Sequence, residues 1–136
     1  MIIDKQLEFS DAQALTATAE STNKLDTTVL GDAINELRLV IQVSTTLDSA
    51  GDAATLDVTL QTDTVENFAS PTTIATIAQI AEATLVAGYR ICNIRLPAEV
   101  AERYLRVYYT VGTENFTSGN VDAFLTMDAQ TNENPS

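Results

Sequence analysis

Asp48, Asp52 and Asp57 surround Gly51 in the stretch DSAGDAATLD and invite a calcium reading. Calcium is held by several converging oxygens, and its dedicated helix-flanked loop spaces them over twelve residues. Asp48-Ser49-Ala50-Gly51-Asp52 lacks that spacing. It reads as a solvated turn, with a weak, adventitious cation contact near Asp48 and Asp52 as the alternative. Glu20, Asp26, Asp32 and Glu36 would supply an acid–base pair only if folding joined two of them, and nothing in the sequence does so. The chain has one cysteine, Cys92, and no histidine. Neither a histidine-activated serine nor a Cys/His zinc site can be built within it. Ser118 lacks the G-x-S-x-G frame, and there is no phosphate-binding glycine loop or dinucleotide fingerprint. Cys92 falls within an apolar alternation and reads as an inert core thiol. These residues point away from an enzyme, and they call for no cofactor and no dedicated metal.

The remaining chemistry is recognition. Arg38, Arg103 and Arg106 lie on strand-like runs whose other faces are apolar. In a strongly acidic chain, intramolecular ion pairing is the plain reading of such arginines. The sharper one is an interface, because Arg and Tyr are favoured contact residues. Tyr104, Arg106, Tyr108 and Phe124 are the candidate interface set, expected as neighbours on one outward face. A second buried sheet face is the alternative for the same four. An aromatic platform for sugars usually includes Trp, and the chain has none.

The 136 residues suit one domain, large enough to hold a core without a metal or a disulfide. Seven basic and 19 acidic residues give a net charge of -12, scattered along the chain. That sign repels a phosphate backbone and an anionic membrane surface, so neither nucleic acid nor membrane is an expected partner. The opening MIIDKQLEFS has no basic region followed by an apolar one, so no signal peptide is expected. No apolar run approaches the roughly 20 residues of a membrane span. Abundant Thr and scarce Lys lean towards an all-β fold.

The elements that must position these residues follow from period-two alternation. In RYLRVYYTV, residues 103–111, Leu105, Val107, Tyr109 and Val111 share an apolar face, while Tyr104, Arg106, Tyr108 and Thr110 share the other. ELRLVIQVS turns Leu37, Leu39, Ile41 and Val43 inward. TLDVTLQ does so with Leu56, Val58 and Leu60, and forms a hairpin with it around the Gly/Asp loop. GYRICNIRL is stopped by Pro97, which has no ladder donor. NVDAFLTMD, residues 120–128, sets Val121, Ala123, Leu125 and Met127 against Asp122, Phe124, Thr126 and Asp128. Residues 11–20 read as an extended edge segment. Thr72–Ala81 stays open between a helix, from the spacing of Ile74, Ile77 and Ile80, and a bulged strand that suits the all-β context better. Gly31-Asp32 is a turn signal. Val65, Phe68 and Leu25 are packing anchors, and Phe116 is either packed or an exposed contact. The predicted organisation is an irregular or extended segment 1–30, a β-sandwich core 31–128 and a polar frayed tail 129–136. The fold class is all-β, an antiparallel β-sandwich.

The opening MIIDKQLEFSDAQALTATAESTNKLD, the segment GYRICNIRLP, and RYLRVYYTVG followed by NVDAFLTMD together resemble the small cement, or decoration, proteins of tailed-bacteriophage capsids. The resemblance covers most of the chain and is closest to those of Bordetella podophages. It implies a sandwich of jelly-roll type and a homodimer or homotrimer. It implies the major capsid protein as partner, with the cement on the outer surface of the expanded shell and in the host cytoplasm before assembly. It implies no reaction and no cofactor. The alternative is a β-sandwich binding module of a phage tail or fibre, possibly for carbohydrate. Part of Met1–Leu30 is expected to pack against a neighbouring subunit or the shell.

Overall fold

Alternating apolar residues build two sheets that close on each other. The computed structural model describes residues 7–29, 37–97, 99 and 101–126. Among them run β1 (Glu8–Ala14), β2 (Ala19–Glu20), β3 (Leu25–Asp26), β4 (Arg38–Ser49), β5 (Thr55–Asp63), β6 (Thr72–Ala81), β7 (Arg90–Arg95), β8 (Tyr104–Gly112) and β9 (Phe116–Thr126). Short 3₁₀ turns follow β3 and β6, at Thr27–Val29 and Glu82–Thr84. One sheet has the order β1-β9-β4-β7; the other has β2-β8-β5-β6, with β3 also on β8. Every pairing is antiparallel. The early strands pair with the late ones: β1 with β9, β2 and β3 with β8, β4 with β7, β5 with β6. A ribbon folded back on itself and then rolled into two layers has this order, so the sandwich is a jelly roll. The expected fold class holds, but β4 and β5 do not form the expected hairpin: β4 pairs with β9 and β7, β5 with β8 and β6, and the Gly/Asp loop crosses from one sheet to the other.

The core lies between the layers. Phe9, Leu39, Ile41, Val43, Val121, Ala123 and Leu125 come from the first sheet; Leu56, Val58, Leu60, Leu105, Val107 and Tyr109 come from the second. Full burial of each large side chain contributes roughly 1.5–3 kcal/mol from removal of apolar area from water. Tyr109 brings a phenol into this core, and Ser10 Oγ meets it at 2.9 Å. Ser10 already donates to Gln13 Oε1 at 2.6 Å, so the Tyr109 hydroxyl is the donor of the pair. Desolvation raises the phenol's pKa and keeps it neutral. Cys92 is buried as expected, and burial pushes its thiol up, away from the reactive thiolate. Phe116 is packed, at 2% exposure.

Thr72–Ala81 is a strand, and its helical spacing has a structural cause. Leu56 faces Ile80 and Val58 faces Ile77, so two steps along β5 match three along β6. The extra residue is a β-bulge. Gln79 there has φ 44°, and its amide donates to Asp57 Oδ1 at 2.6 Å. β1 repeats the device. Ser10 faces Ala123 and Gln13 faces Val121, Ala12 has φ 46°, and its amide donates to Asp122 Oδ1 at 2.6 Å. Residues 11–20 are therefore extended only in part: β1 ends at Ala14, a bend follows, and β2 begins at Ala19. The Gly31-Asp32 turn, the inward Met127, the tail 129–136 and residues 1–6 lie outside the described residues.

Gly119 in β9 has φ 121°, and a Cβ there would meet Leu47 Cα at 2.6 Å and the Thr46 carbonyl at 2.8 Å. Gly88 has φ 90° with open space around it. Gly119→Ala should lower the unfolding free energy in urea by about 2–4 kcal/mol, through both clash and backbone strain. Gly88→Ala should cost about 1–2 kcal/mol, from backbone conformation alone. Equal losses in the two variants would refute the close-approach role of Gly119.

Candidate interaction surface

β8 places Tyr104, Arg106 and Tyr108 on the outer face of the five-stranded sheet, each half-buried. β5 faces them across the ladder with Asp63, Gln61 and Thr59 in that order. On the other side of β8, Glu20 of β2 pairs with Tyr108 and Asp26 of β3 pairs with Tyr104.

Arg106 is the hub. Its Nε donates to Gln61 Oε1 at 2.8 Å, and its Nη1 is ion-paired with Glu20 Oε2. Its guanidinium lies 5.1 Å from the ring centre of Tyr108 and 4.5 Å from that of Phe68. The side chain is only 11% exposed. A planar cation of this kind stacks on rings while its edge donates to carboxylate and amide oxygens. The plain reading of Arg106, intramolecular pairing, therefore describes its contacts within the chain. Arg103 likewise pairs with Asp26 at 3.2 Å and lies 5.0 Å from the Tyr104 ring. Arg38 is on the other sheet, where its Nε donates to Asn93 Oδ1 at 2.9 Å.

The loop Thr64–Ser70 is folded onto this surface by Asp63. One carboxylate oxygen accepts from the amides of Thr64, at 2.6 Å, and Val65, at 3.3 Å; the other accepts from the amide of Ser70 at 2.9 Å. Phe68, at φ 50°, thereby turns its ring onto Arg106 and 5.6 Å from Lys24 Nζ. Phe68 is the buried anchor expected of it, whereas Val65 is 44% exposed. Phe68, Glu20, Gln61 and Lys24 were missing from the sequence-derived set. Gln61 was legible, as the residue alternating with Leu60 in TLDVTLQ. A loop residue such as Phe68 has no periodic signal.

Phe124 does not join this surface. β9 belongs to the four-stranded sheet, and Phe124 lies across the ladder from Val40 and Glu8, at 1% exposure. Alternation assigned it correctly to the face opposite Leu125, but that face is on the other layer and is buried at this point. The acids considered for paired chemistry are also apart. Glu20 and Asp26 are each engaged by an arginine; Asp32 and Glu36 lie outside the described residues. Of the acids around Gly51, Asp57 sits within β5, holding the bulge, away from Asp48 and Asp52 at the strand end and loop.

Among the described residues, three carboxyl groups are held below their ordinary range by donated hydrogen bonds. In Asp63 the main cause is the Ser70 amide, with further help from Val65 and Thr64. The Asp26 carboxyl is lowered to about 2, by Arg103 first and then Thr28. Glu114 is lowered by the Ser49 hydroxyl and then the Ala53 and Gly51 amides. A general acid needs the opposite shift. These groups act as anionic clamps on loops and edges.

Fold and surface together define an antiparallel jelly-roll sandwich module with a prearranged aromatic and guanidinium face. The chain belongs to the Bbp16 family, whose model matches residues 9–125. The family's name suggests a Bordetella phage protein. No curated protein matches the chain.

Each lowered carboxyl binds its proton more weakly in the folded chain than in the unfolded one. Its stabilisation is present above the ordinary values of 3.8 for Asp and 4.5 for Glu. It is lost as pH falls through the folded values, down to about 2 for Asp26. Urea midpoints should therefore fall as pH drops from about 4.5 towards about 2. Asp63→Asn should be less stable at neutral pH and show a shallower acid fall, because one of the three linked groups is gone. An unchanged slope would contradict the Asp63 clamp.

Proposed function

We propose that the protein is a structural virion component, a cement that binds the outer surface of the expanded phage head and stabilises the shell. The observation that carries this reading is membership of the Bbp16 family across nearly the whole sandwich, under a name that points to a phage. The resemblance of GYRICNIRLP, RYLRVYYTVG and NVDAFLTMD to cement proteins supplies the role, with the major capsid protein and further copies of the chain as partners. The physical character of the fold supports it. Two layers locked by first-to-last pairing suit a part that must carry load and not move. A contact made only on the expanded lattice stabilises that state by mass action, and many copies acting together add modest individual interfaces. Tyr104 and Tyr108, with the exposed Val65 of the Thr64–Ser70 loop, are the contact residues of this proposal. Arg106 lies against the Tyr108 ring and Arg103 against the Tyr104 ring. The carbohydrate alternative is weaker, because the Tyr108 and Phe68 rings already carry a guanidinium where a sugar would stack.

Purified protein should co-sediment saturably with expanded, undecorated heads of the parent phage, in fixed ratio to the major capsid protein, and not with unexpanded proheads. Tyr104→Ser combined with Tyr108→Ser should weaken that binding about tenfold or more while the chain stays folded. Binding to neither particle by folded protein would remove the cement role. Unchanged affinity of the double variant would move the contact to another face.

A further inference from the structure

At the end of the sandwich where β4 meets β5, three carboxylates converge. Asp48 is the penultimate residue of β4, Asp52 lies in the β4–β5 loop, and Glu82 opens the 3₁₀ turn after β6. One oxygen from each lies within 4.8 Å of the others. They line an open groove of about 370 Å³ with Thr46 and Val86 on its walls. Asp48 and Asp52 are exposed, but Glu82 is 92% buried (8% exposed), and its Oε1 has no hydrogen-bond partner. A buried carboxylate oxygen without a partner costs stability, and two further carboxylates beside it raise that cost.

The arrangement is held from both sides. Glu114 Oε1 accepts from Ser49 Oγ at 2.6 Å, the Gly51 amide at 2.9 Å and the Ala53 amide at 3.0 Å, which fixes the loop bearing Asp52. Asp52 itself sits at φ 56°. On the other side the Glu82 amide donates to the Ala54 carbonyl at 3.1 Å, and the Leu47 amide donates to the Leu85 carbonyl at 3.0 Å. The fold thus maintains three like charges together and leaves the buried one unanswered. We propose that Asp48, Asp52 and Glu82 form a binding site for calcium. The ligands are all hard carboxylate oxygens, with no imidazole or thiolate, which selects a hard divalent cation. Glu82 supplies the buried ligand, and the open side admits the waters that complete a coordination of about 6–8. Magnesium, which demands a near-ideal octahedron at shorter distances, fits three carboxylate oxygens spread over as much as 4.8 Å less well. The site is independent of the cement role, since it lies at a strand end and not on the Tyr104–Tyr108 face.

The test is a thermal and calorimetric titration of the full chain, freed of metal with a chelator, against calcium chloride and magnesium chloride at matched ionic strength. Calcium should bind one-to-one with a Kd of about 10⁻⁴–10⁻³ M, in the range of weaker protein sites. At tenfold excess over Kd it should raise the unfolding midpoint by about 3–8 °C. Glu82→Gln should abolish the rise while leaving the metal-free chain at least as stable as the parent, because the buried charge is gone. Asp52→Asn, on an exposed loop position, should weaken calcium about tenfold or more. No calcium-dependent rise in the parent, an equal rise in Glu82→Gln, or an equal response to magnesium would each overturn the assignment.

Discussion

The register between β5 and β8 is the constraint on which the rest depends. It runs from Thr55 opposite Gly112 to Asp63 opposite Tyr104 without a shift. Alternation along a strand has period two, so a slip of one residue would exchange the two faces. Arg106 would then enter the interior, and Val107 would leave it. With the register held, Leu105, Val107 and Tyr109 meet the opposite sheet, and Tyr104, Arg106 and Tyr108 face away. The core and the candidate surface are two sides of one ladder. The other edge of β8 is secured by β2 and β3, with Ser21 between them: the Ser21 amide donates to the Val107 carbonyl at 2.7 Å, and Ser21 Oγ accepts from the Val107 amide at 3.1 Å.

Regular strands alone give an evenly twisted sheet, and a roll needs local bends as well. Bulges and register shifts supply them, and at two of them an aspartate on the neighbouring strand answers: Gln79 is met by Asp57 and Ala12 by Asp122. A bulge leaves an amide outside the ladder, and a carboxylate that accepts it removes the desolvation penalty. Some of the chain's many acids thus have backbone work within the fold. Asp63 and Glu114 do the same for loops.

The legibility of the structure follows from the same physics. β4, β5, β7, β8 and β9 were readable because their apolar residues keep one parity over most of their length. β6 was ambiguous because each bulge changes parity, and the three-residue spacing of Ile77 and Ile80 is the trace of one. β2 and β3 are two residues each, too short for any period. Phe124 shows the limit of alternation, which says which side of a strand a residue takes but not in which layer the strand lies. Half of the surface was visible in RYLRVYYTV. The other half required knowing that β2 and a loop fold back over β8. Glu82 was invisible as a partner of Asp48 and Asp52, because about thirty positions of chain separate it from them.

In the proposed cement role, this jelly roll, with its β5–β8 ladder inside and a face of rings outside, is a fixed part of a larger shell. Cryo-electron microscopy of the parent phage head tests that directly. The account predicts copies of this sandwich on the outer surface of the capsid, with the Tyr104–Tyr108 face turned towards the major capsid protein or a neighbouring copy. Sandwiches found only in the tail, or seated on the shell with that face open to solvent, would contradict it.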